Sequence, residues 1–332
     1  MTNSVSRRTI LGASAAALIA PTTHAALIER PPALPQPVTL TVGAATVAHL
    51  SPLTLMADDL KAMGVEMKRV DFVRYADART ALAAGSLDLA TVGPADLPIA
   101  LSSGITTMTA LMGVGSQAKY PVVRQGVTVE RWQDLQGKRV AVAPASAVWF
   151  QFVATLEEQG VPYKSLEIVN IQGAGSNFDQ ALKRGDVDAL VTWEPFESTP
   201  VAEGYGYWPR ALDYSQSRAV GAELGMFVAS KDAMTAKRET VRRFVWAYIR
   251  AQDRLAADPA EFARAINAYT GIAPAIAERI AAGIRLGAVL SLEQMQRQAA
   301  AFHKLGVIQR DVSADLPNHF AGDLVAGVLA RG

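Results

Sequence analysis

ALKRGDVDALVTWEPFES, residues 181–198, reads as a helix end, a Gly185-Asp186 turn, a buried strand and then a loop carrying Trp193, Glu194 and Pro195. The stretch has a twin. ALAAGSLDLATVGPADLP, residues 81–98, aligns with it at Ala-Leu-x-x-Gly-x-apolar-Asp, at an offset of 181 − 81 = 100 residues. The same offset pairs Leu40-Thr41-Val42-Gly43 with Val140-Ala141-Val142-Ala143, and Thr46 with Ser146. Two matches in register argue for an internal duplication of a βαβαβ unit. The chain is therefore expected to build two α/β lobes of like design, with its function between them.

Composition narrows the function classes. A chain of 332 residues is long enough for two domains, and with half its residues hydrophobic and 19% charged it has an ordinary globular balance. A formal net charge of +1 gives no basic surface for nucleic acid or for anionic membranes. Cysteine is absent, which removes disulfides, thiolate metal sites and cysteine nucleophiles together. His24, His49, His303 and His319 are scattered without metal-ligand spacing, so no metal, cofactor or catalytic constellation is expected.

The beginning of the chain reads as a targeting segment. Ser6-Arg7-Arg8-Thr9-Ile10-Leu11 opens an apolar run to Ala20, and Thr23-His24-Ala25 offers a small-x-Ala cleavage site. That is the pattern of an export signal over residues 1–25, and the paired arginines resemble a twin-arginine signal. The run is about half of the roughly 20 residues a spanning helix needs, so no membrane insertion is expected. No cysteine follows it, so no lipid anchor is expected either. Residues 26–37 hold Pro31, Pro32, Pro35 and Pro37 and read as an extended leader.

Beyond it, residues 38–43, 65–72, 87–92 and 107–114 read as strands. Helices between them start at Ser51-Pro52, Asp77 and Pro98. The order predicts parallel strands with helices on both faces. A second series begins near Lys119, with strands at 121–124, 140–143, 166–171 and 189–191 and helices over 146–159 and 178–183. Residues 226–229 read as a strand that carries the chain back to the first lobe. Val241, Phe244, Val245, Tyr248 and Ile249 then draw one apolar helix face, leaving Arg242, Arg243 and Arg250 for the solvated face. Ser291 to Gln294 fits a capping box, and residues 318–330 read as the last helix.

Ligands of open parallel sheets sit outside the carboxyl ends of the strands. The candidates are the residues of the loops there. Ala45 and Thr46 follow the first strand, and Gly93, Pro94 and Ala95 follow the third. Ser146 and Trp149 open the helix of the second copy, and Trp193 and Glu194 end its last strand. In each copy the first loop enters a helix N-terminus, where free N–H groups favour an anion. No lysine or arginine lies in any of the four loops, so a small, partly apolar anion would be held by N–H and hydroxyl donors. Each residue also has a structural reading. Ser146 is a helix cap as readily as a ligand contact, and Asp96 caps the helix after Gly93-Pro94 or meets a ligand. Glu194 binds backbone or ligand. Trp149, opposite His49 in the repeat, walls the pocket or fills the sheet–helix layer, and His49 reads as structural.

The segments Asp134-Leu135-Gln136-Gly137-Lys138-Arg139-Val140-Ala141-Val142, Ala181-Leu182 with Gly185-Asp186-Val187-Asp188-Ala189, and Trp193-Glu194-Pro195-Phe196 resemble, in this order and spacing, the periplasmic solute-binding proteins of ABC importers for aliphatic sulfonates, taurine and nitrate. Phe227-Val228-Ala229-Ser230-Lys231-Asp232 and Phe302-His303-Lys304-Leu305-Gly306-Val307-Ile308 extend the likeness from about residue 38 to the end. The resemblance implies a type II periplasmic-binding fold, with two similar α/β lobes of mainly parallel sheets joined by two hinge crossings, plus C-terminal helices on lobe one. Residues 38–118 would begin lobe one, 119–225 form lobe two, and 226–332 return to lobe one.

It further implies a soluble, monomeric periplasmic receptor, not an enzyme. Such a receptor closes on a small anionic organic ligand and delivers it to the permease and ATPase of an inner-membrane importer. Ligand contacts carry over to Thr46, Ser146, Trp193 and the loop of residues 93–96. There are departures. Pro144-Ala145-Ser146-Ala147 stands where the family usually has Gly-Ser or Gly-Thr. Gly225 stands where taurine binders have an acidic residue, and Glu223 reaches that place only if the loop shifts. The cleft lysine of nitrate binders has no evident counterpart. These departures leave a sulfonate without an amine as the expected cargo. A related branch binds a thiamine pyrimidine precursor, for which Trp193 and Trp149 would sandwich the ring. Its enzyme members use cysteines and histidines that this chain lacks. A sensor subunit is the third reading.

Overall fold

The computed structural model describes residues 28–144 and 146–329, so the export signal read in residues 1–25 lies outside the described residues. The first sheet is built by β1 (Val38–Ala45), β2 (Val65–Phe72), β3 (Leu89–Val92) and β4 (Met108–Gly113), with α1 (Ala57–Ala62), α2 (Tyr75–Ala83) and α3 (Asp96–Ser102) between them. The second is built by β5 (Val122–Arg124), β6 (Arg139–Val142), β7 (Glu167–Asn170), β8 (Ala189–Leu190) and β9 (Gly206–Tyr207). Its helices are α4 (Ala147–Glu158), α5 (Ser176–Arg184) and α6 (Thr199–Ala202). The chain then enters β10 (Met226–Ser230) and the helices α7 (Lys231–Ala236), α8 (Arg238–Ala257), α9 (Pro259–Thr270), α10 (Pro274–Gly283), α11 (Leu292–Lys304) and α12 (Asp323–Ala326).

The strand orders are β2-β1-β3-β10-β4 and β7-β6-β8-β5-β9, one topology used twice. Both sheets are mixed, where chain order alone predicted parallel strands. β10 runs antiparallel between β3 and β4, and β5 antiparallel between β8 and β9. The reason is directional. The parallel strands of each sheet end at the cleft, so a chain crossing from the other lobe enters from the cleft side and must run the opposite way. The two crossings lie side by side, with Gln117 N–H donating to Ala222 O at 3.0 Å and Leu224 N–H to Gly115 O at 3.0 Å. Ser116 also exchanges a pair of 2.8 Å backbone bonds with Arg285.

The aspartates of the repeated motif do equivalent work in the two sheets. Asp88 accepts from Thr41 N–H at 2.8 Å and Asp188 from Arg139 N–H at 3.1 Å, each tying the head of one strand to its neighbour. The pairing also corrects the repeat. The third strands are offset by 188 − 88 = 100 residues but the first strands by 139 − 41 = 98, so Ser146 falls opposite Ala48 and not Thr46. Asp88 is neutralised by Lys237 at 2.8 Å, Asp188 by Arg139 at 2.8 Å and Arg124 at 3.2 Å.

Three segments differ from expectation. Pro52 cannot sit inside a continuous α-helix without losing a backbone bond. The chain makes a 3₁₀ helix over Ala48–Leu55 and restarts as α1. The final expected helix, residues 318–330, is a 3₁₀ turn over Leu316–His319 followed by the short α12, bounded by Gly322 and Gly327. Arg243 is buried, not solvated. Its guanidinium donates to Pro32 O at 2.9 and 3.1 Å, and Trp246 Nε1 donates to Ile28 O at 3.0 Å, so α8 straps the leader down. α8 and α9 cover the first lobe, while α11 also packs on α4 of the second, with Phe150 and Phe302 rings 5.6 Å apart. No helix among the described residues is long and apolar enough to cross a membrane.

Arg139 hydrogen bonds, above all other causes, hold the Asp188 carboxyl down at about 2. Because the folded value lies below the unfolded one, the resulting stability is present above about pH 4 and is lost as pH falls through about 2. Asp188→Asn is therefore expected to cost about 1–3 kcal/mol at neutral pH, with the difference from wild type shrinking on acidification, as read by urea melts across pH.

Candidate functional site

A cavity of about 340 Å³ lies where the carboxyl ends of the two sheets face each other. The first lobe lines it with Ala45, Val47 and His49 after β1, with Tyr75 and Arg79 on α2, and with Pro94 after β3. The second lobe contributes Ser146, Ala147, Val148 and Gln151 on α4, then Thr192, Trp193, Glu194 and Glu197 after β8. Gln117 and Lys119 enter from the first hinge crossing.

Of the residues read from sequence, Ala45, Pro94, Ser146, Trp193 and Glu194 line this cavity, and Thr46, Gly93, Ala95 and Trp149 do not. Thr46 is exposed, its N–H spent on Phe72 O at 3.2 Å, because the repeat slips by two residues here. Ala95 is fully buried beneath the loop. Gly93 is where the lobes touch. A Cβ built there would lie 2.3 Å from the Ala147 Cβ at the start of α4. Trp149 turns outward into a separate groove beside Tyr163, Leu305 and Val307, its Nε1 donating to Tyr163 OH at 2.8 Å. Asp96 neither lines the cavity nor caps α3, whose N-cap is Ala95; it closes the loop before the helix, accepting from Gly93 N–H at 2.7 Å and pairing with Arg79 at 2.5 Å.

Ser146 both caps and faces the cavity. Its Oγ accepts from Trp149 N–H at 3.2 Å, which leaves its own O–H proton to donate. With Ala147 and Val148 it brings the amide end of a three-turn helix to the site. Trp193 is wedged edge-on between Phe178 at 6.0 Å and Phe196 at 6.4 Å, which fixes its ring. Glu194 accepts from Ser198 N–H at 3.0 Å and Ser198 Oγ at 2.7 Å. One turn on, Glu197 accepts from Gln117 Nε2 at 3.0 Å and Tyr120 N–H at 3.2 Å. Burial raises both carboxyls, and Glu194 beside it pushes Glu197 higher still.

Sequence reasoning missed the buried cation. Lys119 is 5% exposed and donates to Glu223 O at 2.6 Å, Gln151 Oε1 at 3.2 Å and Gly221 O at 3.3 Å. Burial lowers its ammonium to about 8, against the raising pull of Glu223, Glu197 and Asp213. Lys119 lies in a crossing rather than in a loop at a strand end, so a search of the four loops passes over it. His49, read as structural, is buried in the wall with Nε2 2.5 Å from Tyr75 OH. Burial, helped by Lys119, lowers it to about 3 and keeps it neutral. Gln151 sits five residues into α4 beyond its cap, where no motif marks it.

The model of the NMT1/THI5 like family matches residues 60–262. The taurine-binding periplasmic protein of Escherichia coli (strain K12) is 29% identical over 182 residues, 54% of this chain and 54% of that protein, so the chain spans about half the length of the curated relative it matches. Among solved structures, the alkanesulfonate-binding protein SsuA from Xanthomonas axonopodis pv. citri bound to MOPS is similar with a TM-score of 0.73 and 21% identity, over 87% of this chain and 100% of that one. The periplasmic nitrate-binding protein NrtA from Synechocystis PCC 6803 gives a TM-score of 0.73 at 14% identity, over 88% of each chain. These structures share the two-lobed periplasmic-binding fold with the present chain.

Gly93→Val puts side-chain atoms where Ala147 stands, and is expected to weaken ligand binding by about tenfold or more while leaving the unliganded thermal midpoint within a few degrees, because it obstructs closure rather than either core. As pH falls from about 9 to about 6, Lys119, lowered to about 8, gains its charge and Glu194, raised to about 7, loses its own. Both changes favour a compact anion, so its affinity by titration calorimetry should rise about three- to tenfold over that range.

Proposed function

The chain belongs to the NMT1/THI5-like family, and from that premise we propose that it is the solute-binding receptor of an ABC importer. It captures a small anionic organic solute, best an alkanesulfonate, by hinge closure and delivers it to an inner-membrane permease served by an ATPase. The reading places the mature protein in the periplasm as a soluble monomer that binds without catalysis. The observation that carries it is the cavity between the lobes, into which a helix N-terminus and the Ser146 hydroxyl point beside the buried Lys119 ammonium. An oxyanion head group suits those donors, and the Trp193 ring with Val47 and Val148 suits a short alkyl tail. Ligand prefers the closed form because only there do both lobes touch it.

A second reading has its own observation. Glu194 and Glu197 line the same cavity, and the matched relative is a taurine-binding protein, so an aminosulfonate has carboxylates for its amine. Gly225 has no side chain to supply that carboxylate, a Cβ there would lie 2.8 Å from Val92 O, and the Glu223 side chain turns toward Gly221. The thiamine-pyrimidine reading loses its proposed sandwich, because Trp149 lies outside the cavity.

The test is a thermal-shift screen of residues 26–332 with ethanesulfonate, an aromatic sulfonate, taurine, nitrate, sulfate and the thiamine pyrimidine. A ligand at a hundred times its dissociation constant adds about 2.7 kcal/mol and moves the midpoint by several degrees. The expected response is to ethanesulfonate, with Trp193→Ala weakening it by about 1–3 kcal/mol and Trp149→Ala leaving it unchanged. A response to taurine that strengthens as pH rises would favour the aminosulfonate, and a response to the pyrimidine alone would sink both sulfonate readings.

A further inference from the structure

We infer that Gln151 reads the head group of the ligand, its side-chain amide Nε2 donating to a ligand oxygen, and that Lys119 is the positioning residue that turns it to do so. The inference rests on the proposed function and names the donor through which an oxyanion would be recognised. Three observations carry it. Gln151 lines the cavity yet is only 2% exposed, and its Nε2 has no hydrogen-bond partner among the described residues. Thr192, on the same cavity and 1% exposed, has an Oγ1 in the same condition. Buried donors left unmet are costly, and two in one cavity mark where a ligand must supply acceptors.

The third observation fixes which end of the amide faces the ligand. Lys119 Nζ lies 3.2 Å from Gln151 Oε1. An ammonium donates and cannot accept, so the opposite amide orientation would set N–H against N–H. The carbonyl end of Gln151 is thereby held to Lys119 and the NH₂ end left for the cavity. The other two Lys119 protons have acceptors of their own in Gly221 O and Glu223 O, both in the return crossing. Lys119 therefore offers the ligand no proton. Its charge acts through Gln151, and the direct donors are neutral N–H and O–H groups. Such a set suits an oxygen of low basicity and spread charge, as in a sulfonate.

The experiment uses residues 26–332 with ethanesulfonate as probe, by calorimetry and by NMR of protein labelled with ¹⁵N-glutamine. Gln151→Leu is expected to lower affinity about tenfold or more, and Gln151→Glu, which sets a carboxylate where the donor was, more than Gln151→Leu. The Gln151 side-chain NH₂ resonance, assigned through the backbone of wild type, should shift on titration of wild type, a readout that does not depend on any variant folding. In Lys119→Met the affinity should be low throughout and its fall above about pH 8 should disappear. Wild-type affinity in Gln151→Leu, or an NH₂ resonance unmoved at saturation, would overturn the assignment of Gln151 while leaving the importer reading intact. No binding of any sulfonate by wild type would overturn both.

Discussion

A single buried ammonium holds the junction of this molecule together. Lys119 leaves the first crossing, bonds two carbonyls of the second, and reaches Gln151 on the helix whose amino end faces the cavity. A charge taken out of water is stable only where every proton finds an acceptor. Here the acceptors belong to the second crossing and to the second lobe, while the ammonium itself hangs from the first. Hinge geometry and site geometry are therefore not independent, since a change in the angle between the crossings moves the carbonyls that fix the ammonium and hence the amide it orients. The carboxylates of Glu223, Glu197 and Asp213 keep the charge tolerable without any carboxylate oxygen bonding to it directly.

Strand direction is the second constraint, and it explains why the site lies where it does. In each lobe the parallel strands end at the cleft, and the one antiparallel strand is the segment arriving from the other lobe. Pairing that arriving strand between two others roots each crossing in the middle of a sheet. The lobes can bend about such crossings without either sheet losing an edge.

Much of this was legible in the sequence because it is repeated there. Ala-Leu-x-x-Gly-x-apolar-Asp recurs because both lobes need a left-handed glycine to end a helix, with φ of +77° at Gly85 and +78° at Gly185, and an aspartate to tie two strand heads. The offset of 100 misled where the copies differ in loop length, and it assigned Thr46 a role that the two-residue slip denies it. Trp149 was ambiguous from sequence because a residue in the first turn of a helix faces the cleft or the outer layer according to rotation, and periodicity over one turn cannot fix that. Lys119, Gln151 and Glu197 were not legible for a different reason. Each is polar at a position with no local signature, and each meets its partners only through the crossing of chains 32 to 104 residues apart.

The unmet donors bear on closure itself. Gln151 Nε2 and Thr192 Oγ1 are buried at the cavity, and His49 Nδ1 is buried on the facing wall, none of them with a hydrogen-bond partner among the described residues. Each such group costs about 1–3 kcal/mol unless something in the cavity satisfies it. Closure without ligand carries that penalty and closure on a ligand with suitably placed acceptors does not. The difference between the two is a differential affinity for the closed form, which is the only means by which a ligand shifts such an equilibrium. On the proposed reading of hinge closure, polar groups left without partners among the described residues make that closure conditional on cargo, and they do so from buried positions that the rest of the structure, beginning with Lys119, holds in place.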